Sequence, residues 1–352
     1  MIKKYKQKIE TIPKPLKRVT LHPKFKNTIS NISNLKIIEV EHNIGFGKYD
    51  VISNQIMKFY PLEEVNVGYE LDAKKGMECI GKYPLIAAYD ESINKFTALE
   101  GIAYLFSHTL VYMYEGEYLP SSLIALYFFT KAKKYKSMFN SGVVVTEDIP
   151  YASKEVYVRD KVDFLKENLY SNTLLFIDGP LIGGDWYVYV INAIYEFFTP
   201  KNIIPVFIVK NSQSSIIVDN IPQLKGRYNS DMHWVYSELR KGMRTAFFKY
   251  EDPNNPRNAR IFCYIKAFDT SPLRVEFHPL TFEKYKNTIQ DILDMIYYFL
   301  LVQGDVKNPQ IRPIAIAEKY ARETLHLFNL DEIIKSSRLT PTVNQERFGW
   351  SP

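Results

Sequence analysis

Two carboxylates in this sequence stand at the ends of apolar runs. Leu174, Leu175, Phe176 and Ile177 lead straight into Asp178, and Gly179 and Pro180 break the run. Leu85, Ile86, Ala87, Ala88 and Tyr89 lead in the same way into Asp90. A short apolar run closed by Gly-Pro reads as a strand buried on both faces, with a turn after it. An ionised Asp at the end of such a strand is costly to desolvate. At the mouth of a sheet it can be partly solvated, or neutralised by a metal. Asp-Gly also starts turns, and for Asp178 alone that plainer role fits as well. The second run favours a site. A third acid, Asp160, lies on the predicted helix before the Asp178 strand, with Asp163 about one helical turn further on. Hydrolysis of a phosphodiester needs one or two hard cations held by oxygen ligands. Carboxylates on neighbouring strands and an adjacent helix provide such ligands. Lys210, at the end of the apolar run 203–210, and Arg244, after Gly242, are candidate phosphate ligands. Arg274 and Glu276 alternate along one strand and share a face, either as substrate contacts or as an exposed ion pair.

The elements that must position these groups follow from periodicity. The run ending in Asp90 opens an antiparallel meander, with segments 96–100, 102–106 and 109–113 and turns at Glu100-Gly101 and Ser107-His108. Residues 120–139 carry apolar residues at helical spacing and end in lysines, which predicts a helix. Residues 152–170 form an amphipathic helix with Val158, Val162, Leu165 and Leu169 on one face. It feeds the strand carrying Asp178. A buried helix over 185–198, a strand over 203–210, a helix over 231–241, a hairpin of 260–268 with 272–278, and helices over 283–302 and 313–328 complete the list.

The chain has 352 residues, with 46% hydrophobic and 24% charged residues, the profile of a soluble globular protein. No stretch approaches the roughly 20 apolar residues of a membrane span, and residues 1–6 lack the apolar core of a secretory signal. Cys79 and Cys263 lack metal-ligand spacing and fit a reducing, cytoplasmic setting. The net charge is +6. Residues 1–30 hold nine Lys/Arg against one acid, Glu10, and Lys131, Lys133, Lys134 and Lys136 form a second cluster. Such segments can neutralise nucleic-acid phosphates, or serve as solvated ends. There is no Walker-type phosphate loop, so energy for translocation must come from a partner.

In order along the chain, several short motifs resemble those of the NurA nuclease family of archaea and some bacteria. They are Ala87-Ala88-Tyr89-Asp90-Glu91-Ser92, the helix with Arg159-Asp160, and Leu174–Leu181 around Asp178. Then come Pro205–Ser212, Gly242-Met243-Arg244-Thr245, Arg274-Val275-Glu276-Phe277 and Pro313–Glu318. The resemblance implies a ribonuclease-H-like mixed α/β sheet flanked by helices. It also implies a Mn²⁺-dependent DNA nuclease (Mg²⁺ possible), a homodimer, and partnership with a HerA-type hexameric ATPase in DNA end resection and recombinational repair. Metal ligation carries over to Asp90 and Asp178, with Asp160 where the family has Glu. Glu91 and Pro180 stand where the family has Gly and Ser. Gln310 and Glu318 stand where it has Tyr and His, and Glu318 offers oxygen to a hard cation. These departures keep a second reading open, a weakened or inactive DNA-binding adaptor of a ring ATPase; a same-fold enzyme acting on RNA is a third. The expected organisation is a basic arm (1–34), one nuclease domain (35–334) with peripheral N-terminal strands, and a polar tail (335–352).

Overall fold

The computed structural model describes residues 58–114, 116–133, 142–303 and 309–327, with 29, 306, 332, 333, 339, 340 and 342. The chain divides into two units, Met1–His42 and Asn43–Pro352, and among the described residues every strand lies in the second. The basic arm, Lys134, Lys136 and most of the polar tail lie outside the described residues.

The second unit opens with strands β1 (Phe59–Pro61) and β2 (Tyr69–Glu70) and helix α1 (Ala73–Cys79). A meander of three long strands follows, β3 (Leu85–Ala98), β4 (Gly101–Tyr114) and β5 (Glu117–Thr130), with short β6 (Val143–Val145) beside it. Helix α2 (Ile149–Asn168) leads to β7 (Thr173–Asp178), and helix α3 (Val188–Ala193), continued by a π turn over Ile194–Phe198, leads to β8 (Ile204–Val209). Helices α4 (Ile216–Asn220) and α5 (Asp231–Glu238) precede strands β9 (Met243–Arg244), β10 (Phe248–Glu251), β11 (Ala259–Lys266) and β12 (Leu273–Phe277). Helices α6 (Pro279–Lys284), α7 (Ile289–Gln303) and α8 (Arg312–His326) close the unit.

Twelve described strands form one mixed sheet, ordered β1-β10-β11-β12-β8-β7-β3-β4-β5-β6, with β2 and β9 off this path. At its centre β3, β7 and β8 run parallel, while β4 is antiparallel to both β3 and β5. A three-strand meander followed by two crossover strands fits the ribonuclease-H-like expectation. Runs buried on both faces make the central strands, because parallel strands are covered by helices on either side. Parity along each strand sorts the layers. Ile86, Ala88, Leu174 and Phe176 pack with Ile292, Leu293, Ile296, Ile314 and Ala317 of α7 and α8. Ala87, Tyr89, Leu175 and Ile177 pack with Val158, Val162 and Leu165 of α2 and with Val190 and Ile191 of α3. A third cluster joins Trp234 and Val235 of α5 to Phe248, Phe262 and Tyr264.

Three expectations change. Residues 117–130 form a strand rather than a helix, paired along its length with β4. Leu119, Leu123 and Leu126 are exposed on it, so no single buried face marks its alternation. The turn at Glu100-Gly101 forms, with Ala98 opposite Gly101, but Ser107 and His108 lie inside β4, opposite Ser92 and Glu91. The long helix over 283–302 is broken by a 3-10 turn at Lys286–Thr288. Cys79 and Cys263 are free and buried. No described helix is long and apolar enough to cross a membrane.

Helix α1 crosses α7 at closest approach through Gly76, where an added Cβ would lie 2.0 Å from the Asp294 carbonyl oxygen. Backbone cannot yield as a side chain can. Gly76→Ala will therefore destabilise the fold by about 2 kcal/mol or more, read as a lower midpoint in urea unfolding. An unchanged midpoint would show that the crossing is looser than described.

Candidate active site

The register of β3 and β7 sets the site. Tyr89 lies opposite Ile177 in the parallel pair, so the next residues, Asp90 and Asp178, stand side by side at its end. Both share the parity of Ile86, Ala88, Leu174 and Phe176, and so face the α7–α8 layer. Gly179 follows Asp178 at φ +100°, and its N–H donates to the Ile208 carbonyl at 2.9 Å. That left-handed turn suits glycine and ends the strand directly after the carboxylate. Asp90 is 6% exposed, and its Oδ1 accepts the Glu91 N–H at 2.8 Å. Burial, then the negative charges of Asp178 and Glu91, push its carboxyl up to about 8.

Opposite these acids come groups from β8 and α8. Lys210 Nζ lies 2.7 Å from Asp178 Oδ2 and 3.3 Å from Glu318 Oε2. Burial lowers the affinity of Lys210 for its proton, but Asp178 and Glu318 outweigh it and raise the net value. Glu318 also accepts a hydrogen bond from Gln310 Nε2 at 2.9 Å and pairs with Arg322. Burial pushes the Glu318 carboxyl up, while Gln310, Lys210 and Arg322 together hold it below the usual carboxylate range. A cleft of about 370 Å³ opens here, lined by Lys210, Asn211, Ser271, Pro309, Glu318 and Arg322.

Other predicted residues are placed elsewhere. Asp160 accepts a hydrogen bond from Tyr127 on β5 at 2.9 Å, and its charged neighbours are Asp163 and Arg159 of its own helix. The register sets Tyr127 level with Tyr104 and Lys95, past Asp90 and two strands away from it. Arg244 is 4% exposed and clamps Glu63 with Nη1 at 2.6 Å and Nη2 at 3.0 Å. Its Nε donates to Gln290 at 3.0 Å. Arg274 is buried as well, with Nη1 donating to Ser212 Oγ at 2.5 Å and Nε 2.8 Å from Glu276 Oε1. Both guanidinium groups have internal partners, and the pair Arg274–Glu276 is buried, not exposed. Arg244→Met will accordingly lower stability by about 1–3 kcal/mol and leave the salt dependence of DNA binding unchanged. A shallower salt slope in DNA titrations would return Arg244 to the phosphate contacts.

Sequence reasoning missed the other face of β3. Glu91 points there, accepting from Tyr157 and pairing with Lys161 Nζ at 3.4 Å. Lys161 is 3% exposed and lies over the Tyr89 ring. The signal was available, since Lys161 sits at i+3 from Val158 on the buried face of α2. Glu276 was noticed but not its task. It is fully buried, accepts the Leu181 N–H at 2.7 Å, and faces Arg260 Nη1 at 3.2 Å as well as Arg274. These charge pairs lack the direction of hydrogen bonds. Glu276 thereby ties down the loop that follows Asp178.

Could a metal sit here? Two adjacent carboxylates, one of them desolvated and repelled by the other, fit a hard cation that completes its shell with water and substrate oxygen. Among the described residues no three His, Cys, Asp or Glu side chains converge to form a ready-made cage. Lys210 bridges Asp178 to Glu318.

The fold and site define a mixed-sheet domain with paired carboxylates at the ends of parallel strands. The NurA domain family matches residues 85–323, well over half of the chain, and the chain belongs to that family. Among solved structures, the NurA nuclease from Sulfolobus solfataricus is 13% identical with TM-score 0.49, and covers 100% of both chains. A NurA structure with manganese is 9% identical with TM-score 0.42, covering 89% of this chain and 98% of that one. A NurA structure bound to dAMP and manganese is 10% identical with TM-score 0.39, covering 88% and 99%. No curated protein matches the chain.

Proposed function

We propose that this chain is a metal-dependent DNA nuclease of the NurA family, acting on DNA ends with a HerA-type hexameric ATPase in recombinational repair, as a homodimer. The observation that carries the reading is the side-by-side pair Asp90 and Asp178, facing Lys210 and Glu318, in a chain of that family. Asp90 and Asp178, with Glu318 beside them, would hold Mn²⁺ or Mg²⁺, since all donors are carboxylate oxygens. When bound, such an ion polarises a phosphoryl oxygen and makes a nucleophile of water.

The chain's own groups do the rest. Lys210, paired with Asp178 and Glu318 at rest, is positioned to meet a phosphate oxygen once those carboxylates are engaged. Arg322 lines the same cleft. Gln310 holds Glu318 in place through Oε2. Asp160, bonded to Tyr127 of β5, would join these ligands only on leaving that contact.

The test is a cleavage assay on labelled single- and double-stranded linear DNA, with Mn²⁺, Mg²⁺ or chelator, alone and with the ATPase. Cleavage dependent on metal is expected. Binding of DNA without turnover under every condition would instead favour the adaptor reading, to which the bridging of Asp178 and Glu318 by Lys210 also lends weight.

A further inference from the structure

Loop 270–272, between β11 and β12, separates two cavities. On one side is the polar cleft of Lys210, Glu318 and Arg322. On the other is a second cavity, also of about 370 Å³, lined by Met232, His233, Tyr236, Thr270, Ser271 and Pro272. Ser271 is common to both. The second cavity differs in chemistry. Its wall on α5 is one helical face, because 232, 233 and 236 fall at i, i+1 and i+4. Tyr236 is half-buried there, with Lys266 Nζ 5.0 Å from its ring centroid. Met232 touches the loop after Lys210, where its Sδ accepts the Ser212 N–H at 3.3 Å. Thr270 Oγ1 is buried with no hydrogen-bond partner among the described residues, and a buried hydroxyl left so is costly.

We infer that this second cavity is a nucleobase subsite, taking a base of the single strand whose phosphate lies in the adjoining cleft. The inference rests on the nuclease reading and extends it from phosphate to base. An aromatic ring with a thioether and a proline beside it offers a stacking surface that suits any base. Neighbouring depressions that share Ser271 put a charged floor for phosphate next to an open, mainly apolar surface for its base. The subsite favours unpaired ends, since a base still stacked in a duplex has no free face to lay on the Tyr236 ring.

Binding is measured by fluorescence anisotropy in chelator, so that no cleavage occurs. The probes are a labelled single-stranded oligothymidylate and an abasic strand of equal length. Wild type is expected to hold the oligothymidylate about tenfold more tightly. Tyr236→Leu keeps an apolar cover over Lys266 but has no π face. It is expected to lose most of that preference with affinity for the abasic strand unchanged, and Tyr236→Trp to restore it. Tyr236→Met, a flexible apolar side chain of similar reach with no π face, carries the same expectation if Tyr236→Leu folds poorly. A preference untouched by both changes, or an equal loss on both probes, overturns the subsite. Failure of the nuclease reading is scored separately, by metal-dependent cleavage of the same strand by wild type and by Asp178→Asn.

Discussion

Asp178→Asn will reduce metal-dependent cleavage of linear DNA by about 10³-fold or more. Asparagine keeps the size of the side chain and its place at the end of β7, but it brings one neutral oxygen where a carboxylate stood. Its contact with Lys210, 2.7 Å in the wild type, loses its charge. Asp90→Asn will cause a comparable loss of cleavage for the same reason. Initial rates on a labelled strand, with Mn²⁺ in excess, measure both. A rate within a few-fold of wild type for either variant would sink the assignment of the pair. The two variants differ in the metal-free protein. The Asp90 carboxyl is raised from 3.8 to about 8, by burial first and then by Asp178 and Glu91. A carboxyl raised in the fold is stabilising while protonated, and its ionisation opposes folding. Stability in chelator therefore falls as pH rises between 3.8 and about 8 through this group, and levels off above. Asp90→Asn removes that contribution, so at pH 8 and above it will melt higher than wild type in chelator. Added Mn²⁺ will raise the melting temperature of wild type and not of Asp178→Asn.

Glu276→Gln will destabilise the domain by about 3–5 kcal/mol, which corresponds to a fall in Tm on the order of 10 °C. The wild-type carboxylate is fully buried between the guanidinium groups of Arg260 and Arg274 and accepts the Leu181 N–H. Glutamine can still accept that N–H, but it leaves two buried cations without a counter-charge. The double change Glu276→Gln with Arg274→Met will recover part of the loss, because one stranded cation is then gone. A Tm within a degree or two of wild type would mean that water reaches the cluster. Cleavage should fall in the variant beyond what stability explains, through the loop held by Leu181 directly after Asp178.

The residues at the centre of the sheet were legible because burial on both faces leaves an uninterrupted apolar run. That is why Asp90 and Asp178 stood out and why β7 and β8 were placed to within a residue. The edge of the sheet was not legible. Residues of β5 are half exposed on both sides, so their pattern passes for a helix, and only the long partner strand β4 decides the matter. Asp160 sits apart from the Asp90–Asp178 pair, bonded to Tyr127, for a reason legible in the chain. At about 100° per residue it points roughly opposite Val158, whereas Lys161 shares the buried face. Arg244 and Arg274 could not have been sorted from the sequence. Glu63, which takes up Arg244, lies far away in the chain, and a cation committed to a buried partner looks the same in a sequence as one that meets phosphate.

The parallel pairing of β3 with β7 also sets when the site can exist. The two carboxylates are about 90 residues apart in the chain and meet only after α2 has crossed between the strands. The meander β3–β4–β5 needs only local turns and can assemble first, carrying Asp90 without its companion. A nascent or partly folded chain thus lacks the carboxylate pair that a cation would need. An ion held by the pair would grip only the finished sheet, slowing unfolding and leaving the rate of folding nearly untouched.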